Sequence, residues 1–439
     1  MSAYIPHTPD DVRAMLETIG TPEVEGLFSD IPSAVRARYK PLGLRAHDDL
    51  AVHRHVTSLA ERSTGQQLVP FLGAGLYDHF IPPVVGHILS RSEFFTAYTP
   101  YQAEISQGTL TWMFEYQTMI CELTGMEVAN ASMYDGATAL AEAVLMAHRT
   151  TRGKTVLLPR SLHPRFREVV ATYAWGAGLI VREVPYDANG QLALGEIPAD
   201  TCALVVQQPN ALGVLEEMKG LKERLGAAFL IACTLPIPLA VIEPPGACGA
   251  DVVVGEGQSL GNPLAFGGPL LGFFATRMGH LRRMPGRVSG QTQDADGNTG
   301  YVMTFQTREQ HIRREGATSN ICTNSALCAL AATVYLAALG PGGLRRVALL
   351  SLERAHTLAD RIAALPGYSL AFGGPFFHEF VVRCADPQRA VTRLRQAGIG
   401  VLPPSHLHPL GIHDGFSVAV TEKRTLDDLD RFVAALEEA

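Results

Sequence analysis

The sequence contains very few lysines. Among 439 residues there are only five, Lys40, Lys154, Lys219, Lys222 and Lys423. A site that forms a covalent imine needs a lysine amine. Such chemistry in this chain is therefore confined to these five positions.

Other absences exclude whole classes of protein. The seven cysteines are scattered and no CxxC occurs, which predicts buried free thiols rather than a zinc site or a disulfide framework. No P-loop and no catalytic-triad spacing is present. The net charge of −7 argues against binding to nucleic acid or to a membrane surface. No basic, apolar leader and no apolar run of about 20 residues is visible, so we expect a cytoplasmic protein.

The chain that remains is long and apolar, with 47% hydrophobic residues. The pattern of helix-like and strand-like stretches predicts a helical arm over residues 1–66, which is too small for a core of its own. It also predicts a large α/β domain over residues 67–340. Residues 341–439 predict a smaller α+β domain with an antiparallel sheet. Between them, Gly340 and its neighbours are expected to stop one helix before another begins. The Gly- and Gln-rich segment after residue 280 is expected to form a surface loop or a loop that reaches a partner. Strand–helix alternation in the large domain predicts a mostly parallel sheet, with ligands at the carboxyl ends of its strands.

Residues 251–269 have the form of a cofactor loop but lack its chemistry. A β-branched run ends here in a Gly-rich loop. In pyridoxal-phosphate (PLP) enzymes of the aspartate-aminotransferase type a lysine would stand there, whereas this chain has Gln258 and Ser259. Such a site also needs an acid opposite the pyridine nitrogen, and the preceding strand ends at Cys233 without a carboxylate. Two independent requirements fail together, which predicts that this chain does not hold PLP.

Several polar residues are candidates for other roles. Tyr98, Tyr101, Gln102 and Glu104 lie in a loop without regular periodicity, which could line a cleft, form an interface or be an ordinary ordered loop. His163 follows a buried strand, where it could stack on a ring, donate a proton or lie at a rim. Residues 311–320, which include Asn320, could bind an anion or form a salt-bridged linker.

The helix that starts near Gly136 offers backbone N–H groups to a phosphate. Asp135 favours simple capping instead, because its carboxylate would repel the anion.

Taken together, several long stretches resemble the glycine cleavage system P-protein family, in the N-terminal-half subunit of its split, two-chain form. These stretches are residues 71–79, 94–108, 130–139, 158–163 and 308–323. One departure is Gly316, where many members are expected to carry lysine, so no acid–base role is assigned to residues 314–316.

The resemblance implies an aspartate-aminotransferase-like fold (fold type I). It also implies an α2β2 assembly with a homologous, PLP-bearing β subunit. The family's lysine falls at Ser259 of this chain and the pyridinium acid near Cys233, so the partner would hold the cofactor. The reaction takes glycine and the lipoyl arm of H-protein, releases CO2 and leaves an aminomethyl group on the lipoyl sulfur.

In this interpretation Tyr98, Tyr101, Gln102, Glu104, His163 and Asn320 are cleft candidates, and none acts covalently. Two alternatives stay open at this point. One is a noncatalytic scaffold that only stabilises a PLP-enzyme partner. The other is an independent PLP enzyme that uses Lys154, Lys219 or Lys222, although Lys219 and Lys222 are expected to be solvated.

Overall fold

A computed structural model describes residues 6–437, and the chain divides after Thr64 into two compact units. The first unit is the helical arm, with α1 at Pro9–Ile19, α2 at Ser33–Arg36 and α3 at Asp49–Glu61. None of its described residues is buried. A segment of this size cannot exclude water from its own apolar side chains. The arm therefore has no core, as expected.

The second unit is built on a seven-stranded sheet of order β2-β8-β7-β6-β5-β3-β4. Every neighbouring pair is parallel except those made by β8, which runs antiparallel to both β7 and β2. The prediction of a mostly parallel sheet is confirmed. The strands of the second unit are β1 Val69–Pro70, β2 Val128–Ala129, β3 Thr155–Pro159, β4 Ile180–Val184, β5 Thr201–Gln208, β6 Phe229–Thr234, β7 Val252–Glu256, β8 Gly272–Thr276, β9 Val288–Gln293, β10 Thr299–Thr304, β11 Tyr368–Leu370, β12 Glu379–Cys384, β13 Ile399–Gly400 and β14 Gly415–Ala419.

Helices cover both faces of this sheet. Alternate strand residues point to opposite sides, so Ile231 packs in one apolar cluster with α7 and α8 while Ala232 packs in another with α6 and α11. The sheet is thereby buried on both faces, as parallel sheets require. The helices of the second unit are α4 Pro83–Leu89, α5 Ser92–Phe95, α6 Gln107–Thr124, α7 Gly136–Thr151, α8 Pro164–Gly176, α9 Leu221–Leu225, α10 Gln310–Arg313, α11 Ala326–Ala363, α12 Pro387–Gln396 and α13 Leu426–Glu437.

The range of α11 holds two helical segments that meet at Gly340, as expected. Gly340 adopts the non-helical angles φ 62° and ψ 177°. Gly340 and Pro341 therefore interrupt α11. Among the described residues it is the one helix with the length and hydropathy of a membrane span. Ala329 and Tyr335 are fully buried in the core, and an apolar core helix gives the same pattern.

Two further regions compare differently with expectation. The C-terminal part contains a three-stranded antiparallel sheet of order β11-β12-β14, as predicted. Residues 288–304 instead form a hairpin of β9 and β10, where a surface loop was expected. A turn in which the Asp294 carboxylate accepts hydrogen bonds from the backbone of Asp296 and Asn298 closes this hairpin. The boundary near residue 340 stays a prediction, because the contacts divide the chain only after Thr64.

Candidate active site

The loop after β7 is tied to the rest of the chain by Gln258. Its side-chain oxygen accepts a hydrogen bond from the backbone N–H of Tyr77 at 3.0 Å. Its amide nitrogen donates to the carbonyls of Asn262 at 2.7 Å and of Tyr77 at 3.3 Å. The Tyr77 hydroxyl donates in turn to the Glu379 carboxylate of β12 at 2.7 Å. Gln258 thus holds two loops together, a structural role.

Ser259 and Cys233 are both buried and neither is ionised. Ser259 is 5% exposed, and its hydroxyl has no hydrogen-bond partner among the described residues. Cys233 lies in β6 between Gln207 of β5 and Val254 of β7. Burial, with a contribution from nearby Glu256, raises the pKa of the Cys233 thiol far above its usual range. That the family's lysine and acid correspond to these two positions stays a prediction.

The space at the carboxyl ends of β5, β6 and β7 is nearly filled. This Cys233 cleft encloses about 20 Å³, roughly what one water molecule needs. Pockets for small organic ligands measure about 300–1,000 Å³. The Cys233 cleft is much smaller than such a pocket. It is lined by Gly75, His163, Phe166, Gln207, Cys233, Thr234, Leu235 and Glu256.

Two carboxylates occupy the N-terminus of α7. Asp135 is the N-cap and accepts a hydrogen bond from the Thr138 backbone N–H at 2.8 Å. Glu256 accepts from the Gly136 N–H at 3.0 Å. The helix dipole and free N–H groups that would bind a phosphate are thus used internally. The capping interpretation of this helix start is confirmed, and the residues present do not fit the cofactor.

The Glu256 carboxylate also holds the loop that follows β7. It accepts backbone hydrogen bonds from Gln258 at 3.0 Å and Leu271 at 2.9 Å. Burial raises the pKa of Glu256 to about 7, against the lowering effect of the Leu271, Gly136 and Gln258 N–H groups. One side chain therefore joins the sheet edge, the loop and helix α7.

His163 lies inside the Cys233 cleft. Its backbone N–H donates to the Gln207 side chain at 2.8 Å, and its ring nitrogen Nδ1 accepts from the Arg165 N–H at 3.2 Å. Burial, with the positive charge of His406, lowers the pKa of His163 to about 4. His163 is thus a neutral N-cap of α8, and its ring lies 5.3 Å from the ring of Phe166 between centroids.

No lysine is among the described residues that line the cleft. Lys222 pairs with Asp251 at 2.7 Å, at the amino end of β7, and its side chain is only 28% exposed. The expectation that Lys222 is solvated is therefore wrong, because Asp251 and the Ala228 carbonyl hold it. Lys219 pairs with Glu243 at the surface, and Lys154 is exposed. None of Lys154, Lys219 and Lys222, the lysines of the independent-enzyme alternative, lines the Cys233 cleft.

The loop around Tyr101 is the opposite of the cleft, because its apolar side chains are in solvent. Tyr98 is 75% exposed, Tyr101 50% and Ile105 80%. Gln102 and Glu104 are exposed as well. Exposed aromatic groups so close together are typical of an interaction surface.

Tyr101 belongs to a group of side chains here named the Tyr101 cluster. Its ring makes an edge contact with His311, at 5.9 Å between centroids, and Arg287 lies 5.9 Å from the centre of the same ring. Arg287 donates to the Cys322 carbonyl at 2.8 Å and to the Thr323 hydroxyl at 3.1 Å. The cluster consists of Tyr101, Arg287, Glu309, His311, Cys322 and Thr323.

The sequence analysis missed Arg287 and Glu309. Both side chains are less than a tenth exposed, and Arg287 Nε lies 4.0 Å from Glu309 Oε2. Glu309 Oε2 also lies 3.5 Å from His311 Nδ1. No local pattern marks this pair, because the two residues are 22 positions apart in the chain and meet only in the folded structure.

The other candidate, Asn320, lies elsewhere. It lines a separate depression with Glu142 and Arg149 on α7 and Tyr173 on α8. The structure therefore places the six cleft candidates in three locations. Tyr98, Tyr101, Gln102 and Glu104 share the exposed loop, His163 is in the Cys233 cleft, and Asn320 is in the depression.

Comparison with known proteins assigns the chain to a family. Residues 2–436 match the profile of the family described as "Glycine cleavage system P-protein". The chain belongs to this family. A curated relative from Carboxydothermus hydrogenoformans, "Probable glycine dehydrogenase (decarboxylating) subunit 1", is 50% identical over 99% of both chains. A relative of the same name from Thermotoga maritima is 48% identical over 99% of both chains.

Solved structures agree with the family and the fold. The chain aligns with a crystal structure of glycine decarboxylase (P-protein) in inhibitor-bound form at a TM-score of 0.91 and 41% identity, over 100% of both chains. A Burkholderia pseudomallei sphingosine-1-phosphate lyase, at a TM-score of 0.64 and 18% identity over 93% of this chain and 94% of the lyase, shares the fold alone. The predicted fold type I architecture and the predicted family are both confirmed.

Proposed function

We propose that this chain is the subunit of a glycine-decarboxylating enzyme of the glycine cleavage system that does not bind the cofactor. Its membership of the P-protein family supports the reaction, and its relatives carry the name of subunit 1 of glycine dehydrogenase (decarboxylating). The nearly filled Cys233 cleft is the observation that supports assigning the cofactor to another subunit. PLP, and the electron sink that it supplies for decarboxylation, then belong to a second, homologous subunit.

The Tyr101 cluster is the part of this chain that we assign to the partner's cleft. Its loop exposes aromatic and polar groups that contribute little to the core of this chain. Removing them from water on a partner surface would stabilise the complex. Arg287 is buried beside the Tyr101 ring, so it positions this ring rather than reaching a substrate itself.

The hairpin of β9 and β10 contacts the Tyr101 loop where this loop meets α6. Gln107, at the start of α6, accepts a hydrogen bond from the Tyr301 N–H and donates to the Tyr301 carbonyl, both at 2.9 Å. Such a two-point contact fixes one end of the loop against the hairpin. We propose that Tyr98, Tyr101, Gln102 and Glu104 line the path by which glycine and the lipoyl arm of H-protein reach the cofactor. Asn320 and His163 lie apart from this path.

The assembly follows from the same division. We propose an α2β2 complex in the cytoplasm, in which each chain of this kind pairs with one PLP-bearing chain. The binding of lipoylated H-protein is part of the proposal, since the lipoyl arm is the acceptor of the aminomethyl group in this family. The exposed loop supports it by offering an unfilled apolar surface.

A noncatalytic scaffold is the alternative function. A scaffold would use the same surface but would place no side chain at the reacting groups. Substitutions in the loop would then change partner affinity and leave the turnover of the saturated complex unchanged. This difference makes the two functions separable by kinetics.

Reconstitution tests the proposal. This chain and the PLP-bearing subunit are purified separately, and CO2 release from glycine is measured with lipoylated H-protein. We expect no activity from either chain alone and full activity from an equimolar mixture. Activity of this chain alone with PLP would contradict the proposal, and so would activity of the partner without it.

A further inference from the structure

Exposed apolar side chains are concentrated in the helical arm. Among the described residues, half of the large apolar side chains that are exposed lie between Met15 and Leu59, although this stretch is a small part of the 439 residues. The most exposed of them are Tyr39 at 79%, Leu42 at 87% and Leu44 at 83%. Apolar groups that lie so close together in solvent are typical of a surface that binds a partner.

These three side chains belong to one segment, residues 38–45, named here the Leu42 segment. It lies between α2 and α3, where residues 39–48 form neither helix nor strand, and residues 37–50 are all exposed. Pro41 has no backbone N–H to continue a helix, and Gly43 adopts a positive φ of 65°. The segment is therefore an irregular loop whose backbone and side chains are accessible to another chain.

The Leu42 segment is also basic. Residues 31–47 contain no carboxylate and four cationic side chains, which are Arg36, Arg38, Lys40 and Arg45. Arg36 pairs with Glu25 inside the arm, whereas the other three form no ion pair among the described residues. The net charge of the whole chain is −7, so this stretch has the opposite sign. A surface that covers the segment therefore needs carboxylates as well as apolar side chains.

The area that a stable interface needs indicates which chain covers the segment. Each partner of a stable complex buries about 800 Å². The Tyr101 loop, already assigned to the PLP-bearing subunit, supplies roughly half of this through Tyr98, Tyr101 and Ile105, since a buried aromatic side chain removes about 150–250 Å² from water. The arm precedes this loop in the chain, and residues 15–105 hold most of the exposed large apolar side chains. One partner that covers both stretches accounts for this concentration and for the missing area.

We propose that the Leu42 segment binds the homologous, PLP-bearing subunit in an apolar groove lined with carboxylates. Leu42 and Leu44 are the anchors in this groove, and Lys40 and Arg45 pair with carboxylates at its rim. The inference rests on the proposed function, because it needs this partner. It assigns to the segment the affinity between the subunits, and it assigns no part of the turnover to it.

Calorimetric titration of the full-length chain into the PLP-bearing subunit tests the anchors. The variant is Leu42→Ser with Leu44→Ser. Both side chains are in solvent, so the melting temperature of the isolated variant should equal that of the wild type. We expect its Kd for the partner to rise at least about tenfold, with an unchanged kcat of the saturated complex. The matched control is Trp175→Ser, which removes an 84% exposed side chain of α8 and should leave the Kd unchanged.

The basic side chains are tested by the salt dependence of the same Kd. Lys40→Gln with Arg45→Gln should weaken binding at low salt and reduce the effect of added salt, because two charge pairs with the partner are lost. Lys154→Gln, which neutralises an exposed lysine before β3, is the control and should behave as the wild type does. An unaltered salt dependence in the double variant would contradict the acidic groove.

Other occupants of the segment give different results, and each of these overturns the inference. A lower melting temperature of the isolated leucine variant would mean that the segment packs on its own chain. A dimer of this chain alone that the variant abolishes would mean that a second copy binds it. A higher KM for H-protein at an unchanged Kd between subunits would mean that H-protein binds it.

The wild-type mixture separates this inference from the proposed function. An active wild-type mixture together with an unchanged Kd for the leucine variant would overturn the inference alone. A wild-type chain that neither binds nor activates the PLP-bearing subunit would overturn the proposed function, and the inference with it.

Discussion

The Cys233 cleft and the Tyr101 loop are opposite in character. The cleft is closed by the chain's own side chains, with Glu256 on the helix N-terminus and about 20 Å³ left. The loop leaves Tyr98 and Ile105 in solvent. One region satisfies its own polar groups, whereas the other needs a second surface. This difference is the basis of the proposal that the cofactor belongs to a second subunit.

The two regions differ because backbone N–H groups at the cleft have an acceptor within the chain. Glu256 accepts hydrogen bonds from Gly136, Gln258 and Leu271, so the cleft has no unpaired donor for a phosphate at these positions. A buried carboxylate is stable there because three donors surround it. In the Tyr101 loop, by contrast, the Tyr98 and Ile105 side chains stay mostly exposed to solvent.

The largest expected effect follows from removing the side chain that closes the cleft. Glu256→Ala leaves three buried N–H groups without an acceptor, so unfolding in urea should show a loss of about 3–5 kcal/mol. The exposed ion pair of Glu168 with Arg165 provides the control, because Glu168→Ala should change stability by about 0.5 kcal/mol or less. A Glu256→Ala variant as stable as the wild type would mean that this carboxylate does not hold the cleft closed.

The next effect is a pH dependence of the unfolding free energy that arises from Glu379. Burial raises the pKa of Glu379 to about 7, from 4.5, although Tyr77 and Ala74 donate to it. The folded state therefore binds this proton more tightly than the unfolded state. Its contribution is complete below pH 4.5 and is lost as the pH rises through about 7. Relative to Glu379→Gln, the wild type should lose about 3 kcal/mol of unfolding free energy over that window. Parallel pH profiles of the two proteins would show that Glu379 does not titrate there.

Steady-state kinetics of the reconstituted enzyme test the role of the Tyr101 loop. Tyr101→Phe and Glu104→Gln should each lower kcat/KM of the reconstituted enzyme about tenfold, because each removes a polar contact worth about 1–2 kcal/mol. Partner affinity, measured by titrating one subunit into the other, should stay the same. Unchanged kinetics in both variants would remove these residues from the cleft, and a lower affinity with unchanged turnover would favour the scaffold.

The smallest effect is expected at Ser259. Its hydroxyl is buried without a partner among the described residues, so Ser259→Ala should raise the unfolding free energy by about 1 kcal/mol. The turnover of the mixed enzyme should not change. A large loss of activity would mean that this hydroxyl takes part in the reaction, contrary to the expectation that Ser259 has no catalytic role.

Much of this contrast could be predicted from the sequence. Strand–helix alternation predicted the parallel sheet, and Asp135 predicted a capped helix start, because both depend on local patterns. That PLP is not held by this chain, inferred from the missing carboxylate at Cys233 and the missing lysine at Ser259, stays a prediction. The long matching stretches predicted the family.

The parts that the sequence analysis missed depend on contacts between distant residues. Glu256 reaches Gly136, 120 positions away in the chain, and no local pattern marks such a pair. Arg287 meets Tyr101 only because the hairpin of β9 and β10 packs on α6.

The assignment of the cofactor to the partner subunit is tested most directly by treating the reconstituted enzyme with PLP and borohydride. The measurement finds which chain becomes labelled. Reduction converts a lysine–PLP imine into a stable pyridoxyl group, which mass spectrometry locates. We predict one pyridoxyl group on the partner subunit and no stoichiometric label on this chain, either alone or in the mixture. A stoichiometric label on any lysine of this chain would contradict the assignment of the cofactor to the other subunit.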